Sequence, residues 1–291
     1  MAGAAAISIF FMPTTDFSSA HDAGFPRRIV CLTDETTETL YLLGEQERIA
    51  GVSAYARRPL EARTKPRVSA FKDANYGRIL SLKPDLVLAF SDVQAEITRE
   101  LVLRGVTVLN FNQRSVAEIF DMIALLARMV GKEAAGGALI ADLRRGLDEI
   151  RAAAKSFPRR PRVYFEEWDE PLISGIEWVE ELIEIAGGEL IFPELRQCGK
   201  ARERVVDAAE VARRDPEVIL ASWCGKKVDI ESICARAGWS ETSAVKRGHV
   251  YEIAPDCILQ PGPASLTEGV RRVHALLAGV VASEREPRCG V

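Results

Sequence analysis

Lys83-Pro84-Asp85-Leu86-Val87-Leu88-Ala89-Phe90-Ser91-Asp92 returns in altered form as Asp215-Pro216-Glu217-Val218-Ile219-Leu220-Ala221-Ser222-Trp223-Cys224. Each copy sets a proline and an acid before a short apolar, partly β-branched run and ends it in polar or aromatic residues. An apolar run without alternation is what a strand buried on both faces requires, so each copy reads as an inner strand of a parallel sheet. Ligands of such sheets gather outside the carboxyl ends of the strands. The doubling therefore points to two similar lobes facing each other across a cleft.

Working outward from the first copy, the globular part starts at Pro26-Arg27-Arg28 with the strand Ile29-Val30-Cys31-Leu32. Thr33-Asp34-Glu35-Thr36-Thr37-Glu38 caps a helix over residues 39–43, which Gly44 closes. A strand at 49–53, a helix at 76–82, the strand at 86–90, a helix at 95–104 and a strand at 106–111 follow. This alternation argues for a parallel α/β sheet. From Ser115 the period changes: Val116, Ile119, Phe120, Ile123, Leu126, Ala127 and Val130 form a helical stripe, opened by a Ser115–Glu118 capping box and ended by Gly131.

Residues 132–156 place Leu139, Leu143, Leu147 and Ile150 on one face, with Gly136, Gly137 and Gly146 as weak points. A helix of about 24 residues, roughly 36 Å long, follows, and a rod of that length can join two lobes. Phe157-Pro158-Arg159-Arg160-Pro161 breaks it. Strands at 162–165, 218–221 and 250–253 then alternate with helices at 178–186 (stopped by Gly187-Gly188), 208–213 and 265–282. The chain divides into a leader without structure (1–26), an N-terminal α/β lobe (27–131), a connecting helix (132–157), a C-terminal α/β lobe (158–282) and a frayed tail (283–291). The fold class is α/β: two Rossmann-like lobes with parallel sheets, one long joining helix and a ligand cleft between the lobes.

Composition supports this and narrows the function. With 291 residues and 47% hydrophobic content, the chain can build two cores. A net charge of −4, with basic pairs only at Arg27-Arg28, Arg57-Arg58 and Arg159-Arg160, leaves no footprint for nucleic acid. Cys31, Cys198, Cys224, Cys234, Cys257 and Cys289 include no C-x-x-C pair, so they read as reduced thiols. The apolar opening, residues 1–12, is preceded by no Lys or Arg and is too short to span a bilayer. As encoded, the chain is expected to be a cytoplasmic monomer, and a periplasmic one if the start site is misplaced. No G-x-G-x-x-G or G-x-x-x-x-G-K-[ST] follows a strand, so no nucleotide or other intrinsic cofactor is expected.

The expected strand ends are rich in side chains that can hold a ligand. Glu35, Tyr55, Arg57, Ser91, Asp92 and Gln94 in the first lobe, and Glu166, Trp168, Trp178, Trp223, Lys226, Asp256 and Gln260 in the second, form the candidate binding set. Three tryptophans near strand ends or loops suit stacking on a flat ligand. Glu166-Glu167 could be an acid–base pair, although neighbouring strand residues point to opposite faces, which favours a structural role. Cys224 beside Lys226-Lys227 could be a thiolate nucleophile or soft metal ligand. It lacks an evident base: His21 lies in the leader, His249 at a strand start as a structural residue, and His274 on a helix surface. No catalytic and no metal-ligating residue is assigned. Gly175 and Gly262 read as turn residues of the cleft wall.

Five stretches resemble the helical-backbone substrate-binding proteins of ABC importers for cobalamin, haem and ferric siderophores. They are 29–44, 49–59, 77–90, Glu170-Pro171-Leu172-Ile173-Ser174-Gly175 continuing to 188, and 238–251. The likeness covers 27–282 and leans toward the cobalamin-binding branch. It implies two lobes on a long helix, a corrinoid, tetrapyrrole or metal-chelate ligand between them, docking to an ABC permease, and no catalysis. Beside the cobalamin binder, Tyr55 matches a ligand-contacting tyrosine and Asp256 a contacting acid. Leu172 and Cys257 replace an aromatic residue and a tryptophan. The glutamates through which the family docks to its permease correspond to Gly77 and Ala209, with Glu210 adjacent. A cytoplasmic carrier or sensor that kept the cleft and lost permease docking is one alternative; an enzyme using Glu166 or Glu167 with Cys224 is another.

Overall fold

The computed structural model describes residues 26–283; the leader, His21, Cys289 and the end of the tail lie outside the described residues. Five parallel strands, Ile29–Cys31 (β1), Ile49–Ser53 (β2), Arg67–Ser69 (β3), Leu86–Phe90 (β4) and Val108–Phe111 (β5), form the first sheet in the order β3-β2-β1-β4-β5. The chain winds outward from β1 to β3, then crosses to the other side of β1. A crevice opens where the winding reverses, above the carboxyl ends of β1 and β4. Both strands are buried throughout, which accounts for their unalternating apolar sequence.

The second sheet contains Arg162–Asp169 (β6), Leu172–Ser174 (β7), Glu189–Leu190 (β8), Val218–Ala221 (β9) and Val250–Glu252 (β10) in the order β10-β9-β6-β7, with β8 also on β6. It is parallel except for β7, which turns back antiparallel along the end of β6. That pairing extends β6 to 8 residues, beyond the short strand read from the sequence.

The repeated motif is a repeated device. β4 and β9 are its two strands, and in both copies the residue before the proline takes a left-handed conformation, with φ 48° at Lys83 and 45° at Asp215. In both copies the acid after the proline anchors the first strand of its own lobe. Asp85 accepts from the backbone of Arg27 (2.7 Å) and Arg28 (3.0 Å) ahead of β1, and Glu217 accepts from the backbone of Arg162 (2.9 Å) at the start of β6. A carboxylate receiving backbone N–H groups gives a short, charge-assisted bond and fixes the register of the neighbouring strand.

Eleven α-helices cover the sheets among the described residues. Asp34–Leu42 (α1) follows β1 and begins earlier than the cap read from the sequence, because the hydroxyls of Thr37 and Thr39 bond back to the carbonyls of Thr33 and Glu35 and are satisfied inside the helix. Tyr76–Ser81 (α2) and Ala95–Leu103 (α3) complete the first lobe's crossovers. Val116–Met129 (α4) carries the expected capping box. Glu133–Ala154 (α5), 22 residues and so about 33 Å long, is the connecting helix. Gly136 is no weak point in it: a Cβ there would lie 2.3 Å from that of Ala127, so the glycine lets α4 and α5 pack closely.

Glu177–Ile185 (α6), Ala208–Arg213 (α7), Ile230–Cys234 (α8), Ser243–Arg247 (α9), Pro255–Ile258 (α10) and Val270–Ser283 (α11) follow, with a π-helical turn, Ser265–Gly269, leading into α11. Instead of two separate cores, one hydrophobic core runs from β1 and β4 through α4, α5, α6 and α11 to β6 and β9, with smaller clusters on the outer face of each sheet. α5 lies along both lobes, so its apolar face fuses their interiors.

Candidate functional site

The carboxyl ends of the two sheets face each other across a cleft of about 700 Å³. The N-terminal lobe supplies Asp34 at the start of α1, Tyr55 and Arg57 after β2, and Phe71 after β3. The C-terminal lobe supplies Cys224, Lys226 and Lys227 after β9, Glu252, Asp256 and Gln260 around α10, and Glu268 and Arg272. A narrower, more apolar compartment of about 260 Å³ continues from it, sharing Phe71, Cys224 and Gln260 and walled by Phe90, Ile173, Ile176, Trp178 and Leu259. One end of the cleft is thus charged and the other oily, a combination suited to a large ligand with a polar edge and a flat apolar face.

Of the residues proposed from sequence, Tyr55, Arg57, Lys226, Asp256 and Gln260 line the charged compartment, and Ser91, Asp92, Trp168 and Trp178 line the apolar one. Tyr55 is 42% exposed at the mouth. Trp178 is held by its indole N–H to the carbonyl of Ile258 at 3.0 Å. The Lys226 ammonium lies 4.4 Å from the ring centre of Trp168 and 4.7 Å from that of Trp223, and pairs with Asp169 at 2.6 Å. These contacts fasten the β9 loop to the end of β6.

Four proposed residues face inward instead. Glu35 accepts the Thr33 hydroxyl at 2.6 Å, and burial pushes its carboxyl up to about 7. Gln94 bridges the strand ends, donating to the carbonyls of Leu32 and Phe71 and accepting from the backbone of Phe90 at 3.0 Å. Glu166, 0% exposed, is gripped by Arg236 at 2.9 Å and by the Trp223 indole at 3.2 Å, and burial still raises its carboxyl. Trp223 is buried with it. All four shape the cleft from behind.

Sequence reading places Asp34 at a ligand-facing strand end without carrying it into the binding set, and passes over Phe71, Glu252, Glu268 and Arg272 as cleft residues. Asp34 adjoins the chosen Glu35, and only the early start of α1 decides which of the two faces the cleft. Phe71 follows β3, whose three residues between Pro66 and Ala70 carry too little pattern to read as a strand. Arg272 lies on the closing helix and gave no local signal.

The enzymatic arrangement does not assemble. Glu166 and Glu167 diverge, Glu167 pairing with the buried Arg204 at 2.6 Å. The Cys224 thiol is raised by burial and by Glu167 and Asp34, opposite to the activation a nucleophile needs. His249 bonds Tyr251 at 2.9 Å, and His274, packed and not merely on a helix surface, bonds the Ala186 carbonyl at 2.9 Å and stacks on Phe157. Among the described residues no group of His, Cys, Asp and Glu is placed to hold a metal ion, and no helix is long and apolar enough to cross a membrane.

Residues 29–257 match the family described as periplasmic binding protein. The chain belongs to that family. The chain is 28% identical over 280 residues to the ABC transporter substrate-binding lipoprotein YvrC of Bacillus subtilis, the match covering 90% of this chain and 84% of the relative. It is 26% identical over 260 residues to a cobalamin-binding protein of Halobacterium salinarum, covering 86% and 69%. Among solved structures, the periplasmic vitamin B12 binding protein BtuF of Vibrio cholerae superposes with a TM-score of 0.69 at 25% identity, covering 89% and 98%. Members of the family are solute-binding proteins, and the two lobes, parallel sheets and long connecting helix of this chain are the architecture of those relatives.

Proposed function

We propose that this protein is the solute-binding component of an ABC uptake system, that it takes a corrinoid, and that it performs no catalysis. The carrying observation is the two-part cleft at the sheets' reversal points, charged at one end and lined by Trp168, Trp178 and Phe90 at the other. The names of its relatives point the same way. A haem-like tetrapyrrole and a ferric chelate are the competing ligands of the same general shape. The continuous core through α5 favours a largely preformed cleft with modest lobe closure. Thermal unfolding with cyanocobalamin, haemin and a ferric siderophore tests this: a saturating ligand raises the melting temperature, and a panel with no shift rejects the reading.

One observation favours a soluble carrier that hands its ligand to another protein. The positions matching the docking glutamates are Gly77 in α2 and Ala209 in α7. The adjacent Glu210 is clamped by Arg213 at 2.6 Å and Arg214 at 2.7 Å, which hold its carboxyl down at about 2. Co-purification from native membranes separates the two: an importer component enriches a permease, and a carrier does not.

A further inference from the structure

Asp34 is the first residue of α1, at the point where the winding of the first sheet reverses. It is 5% exposed and lines the charged compartment, and its Oδ1 has no hydrogen-bond partner among the described residues. The other carboxyls of its helix turn away: Glu35 toward the Thr33 hydroxyl, and Glu38 toward the backbone N–H of Ala264 at 3.0 Å. Asp34 is the α1 carboxyl that meets the cleft. Oε2 of Glu35 is unpartnered as well, but of the two residues only Asp34 lines the cleft, where a ligand can supply the missing partner.

We infer that Asp34 reads the ligand's edge as a neutral carboxyl, pairing through two hydrogen bonds with a primary carboxamide. The inference rests on the solute-binding reading above and names the chemistry of one contact within it. The carboxyl O–H donates to the amide carbonyl while an amide N–H donates to the carboxyl oxygen. No charge is placed in a poorly solvated site.

The groups around Asp34 support this pairing. Glu35 and Glu38 on α1 and Asp256 on α10 oppose its ionisation, Arg57 after β2 favours it, and the Cys224 thiol faces it from β9. Glu268 and Arg272 complete the charged lining. Burial is the largest influence and, with the three acids, raises the carboxyl to about 8 despite its place in the first turn of a helix. A ligand carboxylate here would meet the field of the neighbouring acids. An ammonium would have to drive the proton off Asp34, giving the opposite pH dependence.

Cyanocobalamin, whose rim carries primary carboxamides, is the probe. Calorimetric titration from about pH 6.5 to about pH 9.5 should show wild-type affinity falling about tenfold as Asp34 loses its proton near pH 8, the loss of one buried hydrogen bond. Asp34→Asn, whose amide can form the same two hydrogen bonds without titrating, should retain binding at the acid end and lose the slope. Asp34→Ala should bind more weakly, with melting curves verifying that both variants fold. In the free protein, the infrared absorption of protonated carboxyls at the acid end, to which Glu35 and Glu180 also contribute, should lose one component in Asp34→Asn. Wild-type affinity that is flat or rises with pH, an unchanged slope in Asp34→Asn, or an infrared band that loses no component in that variant overturns the inference and leaves the solute-binding reading intact. A wild type that binds no cyanocobalamin at any pH overturns both the corrinoid assignment and this contact.

Discussion

Gly262 of the C-terminal lobe lies so near Glu35 of the N-terminal lobe that a Cβ at position 262 would sit 2.4 Å from the Glu35 Cβ and 3.1 Å from its Cα. The glycine is required by this approach and not by a left-handed φ. Around it, Gln113 donates to the Pro261 carbonyl at 3.1 Å, and Arg58 pairs with Glu268 at 2.8 Å. Together they latch the lobes beside the cleft. Gly262→Ala should push α1 and the 260–263 turn apart and cost about 1–3 kcal/mol, as overpacking does. Urea unfolding measures it; wild-type stability in the variant would show that the lobes do not depend on this contact.

Arg236→Ala should be among the most damaging single changes, because it strands Glu166 in the interior. Breaking a buried pair from one side costs about 3–5 kcal/mol near neutral pH. The Glu166 carboxyl is already raised by burial, and losing Arg236 raises it further. The folded variant therefore keeps a proton that the unfolded chain releases above about pH 4.3, so the defect grows as pH rises. Denaturant midpoints at acid and neutral pH check this, and an equal loss at both would contradict it.

In the wild type, Glu35 at about 7 and Asp34 at about 8 hold protons in the folded state that unfolded carboxyls lose near pH 4. Stability is thus greatest below that range and declines as pH climbs through the folded values. Carboxyls lowered by arginine partners, such as Glu217 and Glu45, titrate below this window and do not mask it. Glu35→Gln should flatten part of the decline. Unfolding free energies measured across this range are the test, and a rise in wild-type stability there would refute it.

Cys224 is exposed on the wall common to both compartments, whereas Cys31 and Cys257 are buried. Iodoacetamide should modify Cys224 well before those two, at an unaccelerated rate because its thiol is raised. Saturating cyanocobalamin should protect it. Peptide mass mapping reads both effects; labelling indifferent to bound ligand would show that the ligand does not cross that wall.

Trp168 offers a partly exposed ring to the apolar compartment and is stacked by Lys226. Trp168→Ala should weaken ligand binding about tenfold or more, in the range of aromatic anchors at binding sites. Fluorescence titration against the wild type measures the loss. Trp223→Ala, by contrast, removes a buried partner of Glu166 and should lower stability.

The repeated strand, the capping box at Ser115, the long helix and the glycine stops at Gly44 and Gly131 were legible because each rests on local pattern: hydrophobic period, cap chemistry and left-handed turns. β3, β7 and β8 were not, since these strands of two or three residues lack the apolar run that marks the equally short β1 and are held by their neighbours' hydrogen bonds. The candidate site divided in the same way. Strand-end residues were located, but which of them turned inward was not.

What the sequence determined by itself is the frame: two α/β lobes, inner strands that end in polar and aromatic residues, and a helix long enough to join them, because burial on both faces and helical periodicity are written in neighbouring residues. What only the tertiary structure decided is the orientation of those ends. Asp34 faces the cleft and Glu35 the Gly262 turn, while Glu166 and Trp223 close on Arg236 behind it. These outcomes depend on packing and hydrogen bonds between residues far apart in the chain, which no local pattern carries.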